Sequence, residues 1–413
     1  VAVFIYGGKP VVDGRTTGLP RQTTLLHCLW RCDQLVLNTI NETEEPMLSS
    51  FTALTVILLL LTLLPLSRIK HWLVRGLDFP RLQLAVLSGL LLVMQLAMLD
   101  LTKGSSQLLI LLALGCLAIQ AWWIWPYTRL HRTEVPLTKA ASADRQTVSI
   151  ITSNVLMTNR NAPALIELVQ QHKPDVLVTL ESDIWWQQQL DALSADYPHS
   201  IKCPLDNLYG MHVYSRLPLH NGAVQYLVEA DVPSIHAEVE LNSGLRVVLH
   251  FVHPAPPSPT ENESSSERDA ELLVLAVSVA KCKQPLIVTG DLNDVAWSET
   301  TRLFRKVSGL LDPRIGRGMF NSFHAAYPFV RWPLDHLFHS RHFSLQQIKR
   351  LPSIGSDHFP LLITLCLEGK TTGEQTVTLE PEDMQLVKSD LAEQAVSPEQ
   401  VHRPERSAGA PVA

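Results

Sequence analysis

The hydrophobic pattern divides this chain into two unlike parts. Apolar positions run almost without a polar face in three stretches, at 51–66, 82–99 and 107–125. Each approaches the ~20 residues that a helix needs to cross the hydrocarbon of a bilayer. A surface helix of a soluble bundle keeps a polar stripe, and these do not. Three transmembrane helices are expected, with "WWIWPY" at 122–127 as an aromatic belt at the lipid–water boundary.

Beyond about residue 145 the pattern changes to short β-rich runs alternating with amphipathic helical segments, as in a layered α/β domain. "TVSIIT" (147–152) reads as a strand and leads to Asn154. "APALIELVQQHKPD" reads as a helix stopped at Pro174. "DVLVTL" (175–180) is a strand ending at Glu181, and "LRVVLHFV" (245–252) one ending at His253. The helical "ERDAELLVLAVSVAKC" feeds "LIVTGDLND" (286–294), a buried strand that closes on Gly290, Asp291, Asn293 and Asp294. "WPLDHLF" carries Asp335 and His336, and "IGSDHFPLLITL" sets Asp357 and His358 ahead of a last strand.

Five segments follow. Residues 1–46 form a leader without periodicity, and Met47 is the expected natural start. Residues 47–128 form the three-helix region, 129–144 a polar linker and 145–368 the catalytic domain. Residues 369–413, rich in Glu, Gln, Ser and Pro, are expected as a disordered tail. No internal repeat is present.

Composition agrees with that division, since 46% of the residues are hydrophobic and only 18% charged. The net charge of -6, with acids outnumbering bases across 145–367, disfavours a surface that wraps a long polyanion. Six cysteines without a CxxC pair read as buried thiols and not as disulfides or zinc ligands. The connection between the first two spans carries Arg68, Lys70, Arg75 and Arg81 against Asp78, whereas the second has only Asp100 and Lys103. The positive-inside rule then places the first connection, and everything after the third span, in the cytoplasm.

A polar residue at the end of one strand is commonplace, but the repetition of complementary chemistry is not. The inventory is Asn154, Glu181, His253, Asp291, Asn293, Asp335, Asp357 and His358. Carboxylates and amides without thiolates suit a hard cation, Mg2+ or Mn2+. Histidines paired with aspartates suit proton transfer or the stabilisation of a negative oxygen. Together these serve a phosphodiester or phosphomonoester, which needs charge neutralisation, an activated water and a protonated leaving group.

Through "SNVL", the Glu of "TLES", "YSRLPL", "HPAPP", "GDLND", "LDHLF" and "GSDHFP", in that order, the chain resembles the endonuclease/exonuclease/phosphatase superfamily. The resemblance covers about 147–367. It implies the deoxyribonuclease I-like fold, a four-layered α/β/β/α sandwich of two packed mixed sheets flanked by helices, here in a membrane-anchored bacterial-type member. By the same resemblance Glu181 is the principal metal ligand, with Asn154 beside it and Asp357 helping to hold the cation. Asp291 orients or deprotonates the attacking water, and Asn293 donates to the phosphoryl oxygen. His358 contacts the scissile phosphate and is positioned by Asp335, while His253 bonds the phosphate or assists the leaving group.

Other polar residues carry plainer readings. His250 and His253 fall on opposite faces of one strand and do not share a zinc ion. His250 is an interior histidine, and His336 and His339 are structural or surface ones. Asp294 is a helix cap or a solvated side chain. In "NSFHAAYPFVRWPLDH" (321–336), Arg331 and Trp332 are candidate substrate contacts, with an ordinary packed loop as the competing reading.

The expected protein is a Mg2+-dependent phosphoric ester hydrolase tethered to a bacterial inner membrane. A lipid headgroup or small diester is its preferred substrate, with nucleic acid as the alternative and no protein partner inferable. The further alternative, an inactive scaffold of the same fold, is disfavoured because every expected ionisable group is present.

Overall fold

The computed structural model describes residues 45–139, 146–368, 373, 375 and 377–406. The leader expected at 1–46 lies, but for its last two residues, outside the described residues.

Three N-terminal helices are long and apolar enough to cross a membrane: α1 (Glu45–Leu66), α3 (Arg81–Met98) and α4 (Gly104–Ile124). A short helix α2 (Trp72–Gly76) lies in the first connection. Leucine, valine and tryptophan cover the outward faces of the three. Their mutual contact is tied by two buried polar pairs, Gln95 Nε2 to Thr55 Oγ1 at 2.9 Å and Gln120 Nε2 to Thr62 Oγ1 at 3.1 Å. An amide and a hydroxyl each find a partner in this way without water, as helices packed in lipid require.

The rest is a four-layered sandwich. One sheet orders its six strands β10 (Phe343–Arg350), β11 (Leu361–Leu367), β1 (Thr147–Asn154), β2 (Val176–Leu180), β4 (Met211–Ser215), β3 (His199–Cys203), and the other its five strands β5 (Leu219–Tyr226), β6 (Pro233–Glu240), β7 (Arg246–Val252), β8 (Leu286–Asp291), β9 (Asp335–His339). Both are mixed. Each contains one parallel pair joined through a helix: β1 (Thr147–Asn154) and β2 (Val176–Leu180) through α5 (Ala162–His172), and β7 (Arg246–Val252) and β8 (Leu286–Asp291) through α7 (Ser266–Val279). Alternation sends Val148 and Ile150 of β1 towards Leu249, Phe251 and Ile287 between the sheets, and Ile151 outwards onto Leu165 and Trp186. Helix α6 (Ile184–Leu190) joins α5 on that outer side, while α8 (Glu299–Ser308) joins α7 on the other.

The two sheets are pinned together just below the site. Thr152 Oγ1 lies 2.8 Å from Thr289 Oγ1, and Thr289 donates to the His336 carbonyl at 2.7 Å. Each threonine stands two residues before a strand-end polar group, Asn154 and Asp291. The register of β1 against β8 therefore fixes how those two groups face each other.

Two sequence expectations are corrected. Residues 134–138 of the linker belong to the domain: Val135 is buried between the sheets, and the Thr138 N–H donates to the Leu345 carbonyl and the Leu345 N–H to the Pro136 carbonyl, both at 2.9 Å, along β10 (Phe343–Arg350). Part of the tail is ordered as α9 (Pro381–Glu393), whose Met384, Val387 and Leu391 pack on α7 and α8. Those three positions make a helical stripe that the surrounding Glu, Gln and Ser dilute in composition.

The apolar helices and the sandwich are joined by hydrogen bonds. Tyr127 Oη donates to the Ala296 carbonyl at 2.6 Å, and Trp297 Nε1 to the Asp78 carbonyl at 2.8 Å. Lys70 in the first connection reaches Asp390 and Glu393 of α9 at 2.9 and 2.7 Å.

Candidate active site

The strand ends converge as the alternation of β1, β2, β8 and β9 (Asp335–His339) demands. In the parallel register Asn154 lies beside Leu180, and the antiparallel register puts Asp291 opposite Asp335. Asn154 Nδ2 reaches across both sheets, donating to Glu181 Oε1 at 2.6 Å and Asp291 Oδ2 at 3.1 Å. Glu181 is left-handed at φ 56° and Asn293 at φ 50°, conformations that non-glycine residues adopt at a cost. Gly290 has no alternative: a Cβ there would stand 1.8 Å from the Val252 carbonyl oxygen of the neighbouring strand.

Asp291 is the hub. Its Oδ1 accepts the Asn293 backbone N–H at 2.9 Å, and its Oδ2 lies 3.4 Å from His358 Nε2 and 4.0 Å from His253 Nε2. His358 Nδ1 in turn donates to Asp335 Oδ2 at 2.7 Å. Burial works against the charge on His358, but Asp335 and Asp291 outweigh it and raise the imidazolium to about 10. Burial likewise opposes ionisation of Asp291, and the His358 and His253 rings and the N–H of Asn293 overcome it, holding this carboxyl below its usual range. For His253 burial outweighs the pull of Asp291, 4.0 Å away, and lowers it to about 4, leaving it neutral.

Asp291, Asp335 and His358 lie within 4.8 Å of one another, a spacing that could hold a metal. Within this set the Nδ1 of His358 is already engaged by Asp335 at 2.7 Å, so one ring nitrogen and one of the carboxylates are turned towards each other. Glu181 fits better. Burial raises it to about 7 against the Asn154 hydrogen bond and the His358 charge, and the neighbouring Asp357 and Asp291 charges raise it further. A carboxylate held in that state is stabilised by a cation, and the oxygens of Glu181, Asn154 and Asp357 are hard donors.

Asn293 uses one N–H of its amide on the Pro254 carbonyl at 3.0 Å, which leaves the other for a ligand. Arg331 holds the carbonyls of His324 and Ala325 and stacks 5.0 Å over Phe359. Trp332 sits between Phe79 and Phe323. Asp294 is buried, capping α8 through Ser298 and facing Arg268 at 3.5 Å. His336 is an interior histidine clasped by Arg314 at 2.7 Å and the Asp294 carbonyl at 2.9 Å, and His250 pairs with His236 at 2.6 Å.

Sequence reasoning missed the supports. Ser356 Oγ donates to the Asn154 carbonyl at 2.9 Å and accepts the His358 N–H at 3.0 Å, and Ser322 Oγ accepts the N–H of Asp335 at 3.1 Å. The ring of Tyr209 lies 5.4 Å from that of His253. Ser356 stands inside "GSDHFP" and was there to be found, whereas nothing local marks Ser322 or Tyr209.

Two packed mixed sheets flanked by helices, with polar strand ends gathered at one edge, define a class of four-layered α/β sandwich. The chain belongs to the endonuclease/exonuclease/phosphatase family, whose profile matches residues 151–358. Members of that family act on phosphate esters and depend on a divalent metal.

Among solved structures, the chain is similar to an endonuclease/exonuclease/phosphatase from Beutenbergia cavernae at 18% identity, over 58% of this chain and 76% of that one, TM-score 0.47. It is similar to the human Nocturnin catalytic domain with bound sulfate at 18% identity, over 54% and 97%, TM-score 0.44. It is also similar to D. rerio TDP2 complexed with single strand DNA product at 17%, over 53% and 98%, TM-score 0.45. No curated protein matches the chain.

Proposed function

We propose that this protein is a membrane-anchored phosphoric ester hydrolase that uses Mg2+ or Mn2+ and an in-line water to cleave a phosphodiester or phosphomonoester. The observation that carries the reading is the Asp291 carboxylate 3.4 Å from His358 Nε2, with the other ring nitrogen of His358 held by Asp335 at 2.7 Å. A base and a cationic donor 3.4 Å apart suit the two ends of a hydrolysis. Asp291 takes the proton of the attacking water, and the N–H of Asn293 fixes its orientation. His358 bonds a phosphoryl oxygen as negative charge grows on it. His253, neutral, offers one N–H and one lone pair to the phosphate or the departing oxygen. Glu181, with Asn154 and Asp357, would hold the cation, which when bound neutralises phosphoryl oxygens and acidifies water.

Chelation tests the metal. The full chain in detergent is expected to lose its activity on a generic diester when chelated and to regain it with Mg2+ or Mn2+. Glu181→Gln is expected to require more metal for half-activity by at least the roughly 10- to 100-fold that loss of a ligand's supporting partner costs. Chelator-resistant turnover would contradict the assignment.

The three apolar helices are proposed to cross a bacterial inner membrane with the domain on the cytoplasmic side, supported by the basic residues of the first connection. A reporter enzyme fused after Arg406 should be active only in the cytoplasm. Activity confined to the outer side would refute this orientation.

A further inference from the structure

One loop runs from the active site to the apolar helices. At its start the Phe323 ring lies 4.9 Å from that of His358, and the Ala325 N–H donates to the Asp357 carbonyl at 2.6 Å. At its far end Gln83, in the first turn of α3, donates to the Phe329 carbonyl at 2.9 Å, and Trp332 packs edge-on against Phe79 at 5.4 Å. Between these anchors the loop shows apolar side chains to the outside, with Phe329 87% and Tyr327 60% exposed.

The length of α3 fixes the depth of that loop. Its 18 residues span about 27 Å, slightly less than the ~30 Å hydrocarbon core, so nearly all of α3 is needed to cross. Gln83 therefore stands at the hydrocarbon boundary, and Phe329 stands beside it. Trp122 and Trp125 are exposed at the end of α4, where the ring of Trp123 between them packs under Arg81 at 4.6 Å, two residues before Gln83.

Building on the hydrolase reading above, we propose that the 325–330 loop is embedded in the lipid–water interface as the membrane-side lip of the active site. The substrate is then the phosphate-ester headgroup of a lipid in that leaflet. Phe329 is six residue steps along from Phe323, a reach of at most about 20 Å. Headgroups occupy the layer about 5–8 Å outside the hydrocarbon, so a lipid phosphate needs only a short displacement to reach His358. The Arg331 and Arg350 guanidiniums, 5.0 and 4.5 Å from the ring of Phe359, place positive charge on the rim next to His358. An anionic headgroup meets that charge on its way in.

The test uses the full chain in phospholipid nanodiscs, with the photo-crosslinking residue benzoylphenylalanine at Phe329 or, as a control, at Leu245 in the turn before β7. Crosslinking to phospholipid is expected from 329 and not from 245, and its absence at 329 overturns the insertion. In parallel, Phe329→Ser is expected to slow hydrolysis of nanodisc phospholipid at least about tenfold while changing the rate on bis(p-nitrophenyl) phosphate less than twofold. A parent protein that cleaves the soluble ester and no lipid overturns the substrate assignment. The crosslink does not depend on turnover, so a parent protein that cleaves neither contradicts the hydrolase reading separately.

Discussion

Asp291→Asn is expected to lower ester hydrolysis by about 10³- to 10⁴-fold with the fold intact. The asparagine is isosteric and its carbonyl oxygen can still accept the Asn293 N–H that Asp291 Oδ1 accepts at 2.9 Å. What disappears is the proton acceptor, and general-base catalysis accounts for roughly 10²- to 10⁴-fold in rate. A second loss adds to it: the Asp291 charge helps keep His358 protonated, so the phosphate also loses part of its cationic partner. Stability should move by no more than about 1 kcal/mol, because the change also removes the penalty of burying a charge. Initial rates of the full chain with saturating Mg2+, read beside a thermal melt, separate the two effects. An unchanged rate in a folded variant would remove Asp291 from the chemistry.

The largest effect on stability should come from outside the site. Glu134 and Arg305 are both buried, and one guanidinium nitrogen, Nη2, contacts both carboxylate oxygens at 2.6 and 2.8 Å. Glu134 also accepts the Asp312 N–H at 2.8 Å. Glu134→Ala strands a guanidinium in the interior and is expected to cost about 3–5 kcal/mol, since a buried charge without its partner is far costlier than a missing pair. For a domain of this size that is a fall in Tm on the order of 10 °C. The double variant Glu134→Ala, Arg305→Leu should recover much of the loss, as the cycle isolates the stranded charge. Two equally destabilised variants would show that packing, and not charge, is what Glu134 contributes.

That pair also shows where sequence reading stops. The strand ends were legible because each carries its own signal: an apolar run sets the strand, and the residue after it must lie at the sheet's edge. Asn154, Glu181, His253, Asp291, Asp335 and His358 could be singled out one by one, and the structure gathers them into a single charge-coupled cluster. The length and uniform apolarity of the three N-terminal helices were equally local. Glu134 was not legible, since 171 residues separate it from Arg305 and the surrounding "HRTEVPLTK" has the composition of a linker. Its burial depends on an edge of β10 that the sequence does not advertise.

The same reason hides α9 and the loop at Phe329. A helix with three apolar contacts among acids and amides resembles a tail until α7 and α8 supply the groove. Tyr327 and Phe329 read as ordinary loop aromatics until Gln83 places them level with the end of an apolar helix. Asp294 is the reverse case. Its position beside Asp291 and Asn293 invites a chemical role, yet Ser298 and Arg268 engage its carboxylate in the interior. Neighbours in sequence at a strand end can thus divide between chemistry and architecture.

The most direct test of the central claim is the fate of the water oxygen. Hydrolysis of a diester by the full chain with Mg2+ in 18O-enriched water, followed by mass spectrometry of both products, reports which bond breaks and what attacks. The arrangement of Asp291, His358 and Glu181 predicts one 18O atom in the phosphate product and none in the alcohol. Label in the alcohol, or a phosphate product without label, would contradict water attack at phosphorus.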